Sequence, residues 1–523
     1  MNRDRLCVGL VIAVGAAAAL GVFISACSEL GGAPPHVILI SIDTLRHDRM
    51  GYAGHAPEGK STSPFIDRLA EEGAFFSHAV SSATWTLPGH FSMLTGLPSE
   101  LHEMVDDAVP FDDRIQTLAE FFKEQGYATG GFYSGPYLDK FFGFDQGFDM
   151  YEPCMHEQSM YEVMERKGAQ LTEKEQGNLV REKERKSHVE ITSPEVVRKA
   201  NYFARLKQEE KLFMFLHFFD VHNDYKPPKP FNKRYDADYR GWVTGDGVVM
   251  DPRINRRMEE ADLDHLKALY DGEIAWVDHN IEQFFKQLER DRPDVMENCI
   301  VVITADHGEE FFEHGYIGHR WNLHGETLRI PLVIWAPNRV PAGGCNDDPV
   351  RIYDLYPTIL DLAGFPVPEK VFGRSLSKAL QGEKLPAEPV ISELTYIPAD
   401  PENKEYHKHY ALQLNQYKMI GIEKRRWSRK NRIDFTGDLI ENSLELYDVF
   451  KDPGERNDLL QVNAKLAEQM LQNYYGELER MQGFHEKIHG TSGRKNATQV
   501  PEDIQRKIEG TGYGAGGRRQ RGK

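Results

Sequence analysis

Four largely apolar runs of strand length punctuate the chain, at residues 37–42, 212–219, 300–305 and 332–335. Such runs lack the polar alternation of a half-exposed strand. They suit strands buried on both faces, as in a parallel sheet covered by helices. Between them the apolar spacing changes to three and four. Leu263, Leu266, Tyr270, Ile274, Val277, Ile281, Phe284 and Leu288 fall on one stripe, which predicts a long amphipathic helix. Ser193-Pro194-Glu195 reads as an N-cap followed by proline in the first turn of another helix. The alternation predicts an α/β doubly wound domain over 36–385, with a mostly parallel central sheet flanked by helices. After Gly382 the pattern shifts to strands at 410–422 and 444–449 and a helix at 459–481, which predicts a smaller α+β subdomain over 386–490. Residues 155–190 are charge-dense and weakly apolar, and read as a solvated helical insertion.

The N-terminus changes the picture of where the chain resides. Arg3 and Arg5 precede an apolar run at 6–23, which leads into Ile24-Ser25-Ala26-Cys27. Small residues ahead of a cysteine resemble a bacterial lipoprotein cleavage box. On that reading residues 1–26 are a signal peptide, Cys27 is the lipidated first residue and 27–35 is a linker. An uncleaved membrane anchor and an ordinary signal peptide are the alternatives, since the run is nearly long enough to span a bilayer. All three place the remainder outside the cytoplasm. The lipid anchor would hold it on the cell envelope, in the periplasm or at the outer membrane.

Composition narrows the function classes. With 81 acidic and 63 basic side chains the net charge is −18, which argues against nucleic acid as a partner. Five cysteines in 523 residues exclude a disulfide-stapled scaffold. The glycine- and arginine-containing end, 491–523, reads as a flexible basic tail. Oligomeric state leaves no signal in the pattern.

Three of the strand candidates run into polar residues of one chemical kind. The first ends at Asp43, the second at Asp220-Val221-His222 and the third at Asp306-His307-Gly308. Ligands of open α/β sheets bind beyond the carboxyl ends of the strands, so these termini are expected to converge on one crevice. Carboxylates with imidazole suit one divalent cation, and such O and N ligands do not decide between Ca, Mn and Zn. A second cation built from Asp220, His222 and His319 or His324 is the disfavoured alternative. Separately, Thr86-Leu87-Pro88-Gly89-His90 opens a helical stretch, which puts Thr86 at a helix N-terminus. A threonine hydroxyl is a weak nucleophile until a metal or base activates it.

At these residues the chain resembles the sulfatase family of the alkaline phosphatase superfamily, over about 36–385 with a further match near 446–460. Asp43-Thr44-Leu45-Arg46 looks like the family's first metal segment, and Thr304-Ala305-Asp306-His307-Gly308-Glu309 like its second. Thr86-Leu87-Pro88-Gly89-His90 falls on the Cys/Ser-x-Pro-x-Arg signature. His222, Arg329-Ile330-Pro331-Leu332, Asp354-Leu355-Tyr356-Pro357 and Leu446-Tyr447-Asp448 match later segments.

The departures bear on chemistry. Sulfatases convert the signature Cys or Ser to formylglycine, and Thr86 cannot become that aldehyde. His90 stands for the signature arginine and Thr44 for a metal-binding aspartate. Phe132-Tyr133-Ser134-Gly135 stands where a Lys-x-His pair is common. Superfamily members with a metal-bound threonine attack phosphorus.

The resemblance therefore implies a metal-dependent hydrolase of anionic sulfate or phosphate esters, with phosphodiester and phosphonate chemistry favoured by the site. Asp43, Thr86, Asp306 and His307 would hold the cation. Thr86 would be the nucleophile and His90 its support. His222 and His319 would act on the ester as catalytic and substrate-binding groups, and Arg46 would bind its charge. His314 and His324 are rim candidates. A phospho-group transferase acting on envelope lipids or glycans and a catalytically silent polyanion-binding envelope protein are the alternatives.

Overall fold

The first apolar run becomes β1 (His36–Ile42), whose seven residues are all buried. In the computed structural model it lies inside an eight-stranded sheet. The other strands are β2 (Ala74–Phe76), β3 (Ala128–Tyr133), β4 (Met150–Pro153), β5 (Leu212–Phe218), β6 (Cys299–Thr304), β7 (Leu332–Trp335) and β8 (Gly344–Asn346). Their spatial order is β8-β2-β7-β6-β1-β5-β3-β4. The structure describes residues 33–104, 111–155, 191–396, 405–426 and 438–489. The readings of the N-terminal segment and Cys27, of the charged insertion from 156 onward and of the basic tail lie outside the described residues.

β1 pairs in parallel with β5 and with β6, so Val37 faces Phe213 on one side and Ile300 on the other. β3 continues the parallel set against β5 and β4. The sheet is nevertheless mixed. β7 runs antiparallel to both β6 and β2. An all-apolar strand carries no mark of its direction, because both pairings bury it equally.

Helices cover the sheet. α1 is Thr86–Thr95, α2 is Ser193–Leu206 and α3 is Glu260–Asp291. Seven of the eight stripe residues of α3 are buried, and Leu263 at its start packs partly buried against the core. A separate four-stranded antiparallel sheet follows, β9 (Val390–Tyr396), β10 (Glu405–Leu414), β11 (Tyr417–Arg426) and β12 (Asp438–Asp448). The expected single strand at 410–422 is thus a hairpin. Asn415, at φ 54, makes the turn that pairs Leu414 with Tyr417. Asparagine tolerates this left-handed conformation better than most residues. α4 (Ala464–His489) packs its Tyr474 ring on Tyr410 of β10.

No described helix is long and apolar enough to cross a membrane. Cys154 and Cys299 are buried and Cys345 is exposed, all three as free thiols.

Candidate metal and active centre

Parallel pairing aligns the carboxyl ends of β1, β5 and β6, and the site is built there. Asp43 follows β1, and its N–H donates to Phe218 O of β5 at 2.9 Å. Asp306 and His307 lie two and three residues beyond β6. A ligand atom from each of Asp43, Asp306 and His307 lies within 4.8 Å of the others, and all three side chains are fully buried. No other trio among the described residues meets this spacing.

The hydrogen bonding of this trio is incomplete in a telling way. Asp43 Oδ1, Asp306 Oδ2 and His307 Nε2 have no hydrogen-bond partner among the described residues. His307 Nδ1–H donates to Gly308 O at 2.9 Å, so the neutral ring turns its Nε2 lone pair inward. That lone pair faces Asp306 Oδ2 at 3.3 Å and Asp43 Oδ1 at 3.6 Å. Three electron-rich atoms at such distances repel one another unless a proton or a cation lies between them. Burial pushes the Asp43 carboxyl up to about 6, against the pull of His90 and His319. Burial and the neighbouring Asp43 charge hold Asp306 far above the usual carboxylate range. Burial also keeps His307 neutral. The donor set fits a divalent cation.

Thr86 is the first residue of α1, after Trp85 at the N-cap. Its hydroxyl donates to Asp43 Oδ2 at 3.4 Å. The helix reaches the trio because Gly89 has no side chain: a Cβ there would stand 2.9 Å from Asp306 O. His90, one turn on, is fully buried. Its Nδ1–H donates to Thr86 O at 2.9 Å, and Nε2 accepts from Ser41 Oγ at 2.8 Å. Burial drives its pKa down to about 3, so His90 acts as a neutral brace behind the nucleophile candidate.

The pocket above Thr86 is lined by Trp85, Pro136, Tyr137, Phe219, His222, His319 and Arg320. His222 stacks on Phe219 with centroids 4.4 Å apart and places its Nδ1 2.9 Å from Asn223 O. His319 Nδ1–H donates to Glu309 Oε1 at 3.0 Å. Burial opposes protonation of His319, but the Glu309 carboxylate more than offsets it and raises the pKa. The two pocket histidines therefore differ, one backed by a carbonyl and one by a carboxylate.

Several expected groups are placed elsewhere. Asp220 does not reach the crevice. It accepts from Thr192 N–H and Oγ1, both at 2.7 Å, from Ser193 N–H at 3.1 Å and from Trp276 Nε1 at 2.9 Å, and so closes the N-terminus of α2. Free N–H groups at that helix start attract the carboxylate more strongly than the crevice does. Without Asp220 the second-cation set does not assemble.

Arg46, expected to bind substrate charge, is turned into the protein. It donates to Asp48, to Glu313 at 2.7 Å and to Glu309 O at 3.0 Å. Thr44, at φ 56, turns its hydroxyl onto Asp43 O at 2.7 Å, and its N–H donates to Asp306 Oδ1 at 3.3 Å.

Sequence reasoning missed His217. Its Nδ1 accepts from Ser134 N–H at 3.4 Å, so Nε2–H donates to Asp43 Oδ2 at 3.2 Å. The signal was a lone histidine inside the apolar 212–219 run, facing Ser41 across the sheet. Glu309 entered only as the end of the second metal-like segment, with no role of its own, and Arg320 was passed over although it follows His319.

A family model described as Sulfatase matches residues 35–365, and one for the C-terminal part of N-sulphoglucosamine sulphohydrolase matches 312–482. An N-acetylglucosamine-6-O-sulfatase of Bacteroides thetaiotaomicron is 24% identical over 500 residues, covering 81% of this chain and 82% of the relative. A multifunctional alkaline phosphatase superfamily protein of Trinickia caryophylli is 24% identical over 400 residues, covering 65% of this chain and 76% of the relative. The crystal structure of a phosphonate monoester hydrolase of Agrobacterium radiobacter superposes with a TM-score of 0.63 at 19% identity, over 86% of this chain and 96% of that one. A family model spanning well over half the chain covers the eight-stranded sheet together with Asp43, Asp306 and His307. This protein belongs to the sulfatase family and is an ester hydrolase.

Proposed function

We propose that the protein hydrolyses anionic sulfate or phosphorus esters through Thr86, with Asp43, Asp306 and His307 holding one divalent cation. The observation that carries this reading is the orphaned trio directly beneath the Thr86 hydroxyl. The cation, Ca, Mn or Zn, would supply positive charge at the nucleophile and the ester oxygens.

The chain's own groups supply the remainder. Asp43 Oδ2, 3.4 Å from Thr86 Oγ1, is placed to take the hydroxyl proton. His217 donates to the same oxygen and fixes its orientation. The Thr86 oxygen bonds to sulfur or phosphorus as the ester bond to the leaving alcohol breaks. His319, backed by Glu309, protonates the departing alkoxide oxygen and so releases the alcohol. Water then hydrolyses the threonyl ester. His90 keeps the first turn of α1 against β1 throughout.

Phosphodiesters and phosphonate monoesters are the favoured substrates, because an unmodified threonine alkoxide suits attack at phosphorus. Support comes from the multifunctional relative and the phosphonate monoester hydrolase neighbour. The sulfatase relatives keep sulfate esters in the same reading. Export through residues 1–26 and lipid anchoring at Cys27 would place this activity at the cell envelope.

The test is parallel turnover of 4-nitrophenyl sulfate, bis(4-nitrophenyl) phosphate and a phenyl phosphonate ester by the protein and by Thr86→Ala. The substitution is expected to lower kcat by about 10³-fold or more for each ester that the protein turns over. Turnover at the original rate without the hydroxyl overturns the mechanism.

A further inference from the structure

The sulfatase resemblance leads one to expect cations around the ester head, and two of its usual positions hold none here. His90 stands at the signature arginine and is buried and neutral. Phe132-Tyr133-Ser134-Gly135 offers no lysine. One guanidinium does line the pocket. Arg320 follows His319 directly and shares the pocket wall with Thr86 and His222.

Three features fix Arg320 in place. Its backbone holds φ 71, the left-handed region that a side-chain-bearing residue occupies only when its surroundings impose it. Its Cζ lies 4.1 Å from the Trp85 ring centroid, a cation held on an indole face. Its Nη1 donates to Tyr137 Oη at 3.4 Å. Trp85 is the residue before Thr86, so the guanidinium is tied to the chain segment that carries the nucleophile candidate.

A planar guanidinium held on an aromatic face presents its N–H fork to two oxygens of an oxoanion, which a lysine ammonium does not match. We propose that Arg320 binds the anionic head of the substrate, its fork taking two non-esterified oxygens while Trp85 and Tyr137 hold it in register. The proposal rests on the reading of Thr86 as the reacting centre and assigns the site's specificity for a tetrahedral oxoanion to Arg320.

The experiment is calorimetric titration with inorganic sulfate, in parallel with kinetics on 4-nitrophenyl sulfate and bis(4-nitrophenyl) phosphate. The proteins are the full chain, Arg320→Gln, Arg320→Lys and Thr86→Ala. Arg320→Gln is expected to weaken sulfate binding by about 10-fold or more. KM for whichever ester is turned over should rise by a similar factor, with kcat changed by less than about 3-fold. Arg320→Lys should recover part of the loss. Wild-type sulfate affinity in Arg320→Gln, or no sulfate binding by the wild type, overturns the proposal. Thr86→Ala separates the two ideas. If it still binds sulfate but loses turnover, the mechanism stands whatever Arg320 does. If it keeps turnover, the mechanism falls, and the sulfate titration still judges Arg320.

Discussion

Two largely buried clusters of histidine and carboxylate lie close together in this chain, and they behave in opposite ways. Asp43, Asp306 and His307 form the first. His314, His324, Glu326 and Glu455 form the second, where the loop after β6 meets the C-terminal sheet. In the second, the rings of His314 and His324 stack 3.5 Å apart at 4°. His314 bonds Glu326 at 2.5 Å and Glu455 O at 3.1 Å. Both oxygens of Glu455 are engaged, one by His324 at 2.7 Å and one by Lys418 Nζ at 2.8 Å. Burial alone would raise the Glu455 pKa, yet Lys418 and His324 hold it down to about 2. In the first cluster the carboxyl pKa values rise instead, and three inward atoms have no hydrogen-bond partner among the described residues. Residue type does not separate a candidate binding site from a structural seam. Unsatisfied, convergent donor atoms do. The rim candidates His314 and His324 belong to the seam.

Removing one carboxylate from each cluster should break the comparison most forcefully. Asp306→Asn is expected to lower turnover by about 10³-fold or more, with bound metal lost on elemental analysis. Its metal-free form should melt no lower than the metal-free parent, because a crowded buried charge has gone. Glu455→Gln should do the reverse. It strands Lys418, which is almost fully buried, and should cost about 3–5 kcal/mol in denaturant unfolding while kcat is largely kept. Equal melting losses in the two variants would dissolve the distinction.

The seam also predicts a pH dependence. A carboxyl whose folded pKa lies below its unfolded value contributes stability above the unfolded value, near 4.5, and loses it as pH falls toward about 2. The shift corresponds to something on the order of 3 kcal/mol. Unfolding free energy measured from pH 5 to pH 2 should therefore fall more steeply in the parent than in Glu455→Gln. Parallel curves would remove Glu455 from the acid limb.

Much of the first cluster was legible because a strand, its terminal acid and the residues after it are contiguous in sequence. Asp43, Asp306 and His307 each follow an apolar run, and parallel pairing brings those ends together. The Thr86 segment carried its own signal in Pro88, which pre-sets the first helical turn. What failed was whatever depends on where a side chain turns. Asp220 has the same sequence setting as Asp43, yet the N-terminus of α2 captures it. Arg46 follows Asp43 by three residues, yet Asp48 and Glu313 take its charge. Hairpin turns without glycine are equally quiet, which is why 410–422 read as one strand.

His217 offers the smallest effect and the sharpest use of the comparison, since it joins the first cluster as a satisfied member. Its Nε2–H donates to Asp43 Oδ2, and its Nδ1 accepts from Ser134 N–H, so both ring nitrogens have partners. Burial holds its pKa at about 3, which keeps it neutral and able to play both roles. It thus orients Asp43 so that Oδ1, and not Oδ2, faces His307. Outer groups of this kind typically carry 10- to 100-fold in metal affinity. His217→Phe, which keeps a ring but loses the donor, should weaken metal binding by about that factor in a chelator competition. His217→Asn should lose less if its amide reaches Asp43. An unchanged metal affinity in His217→Phe would mean that Asp43 is oriented by Thr86 and the backbone alone.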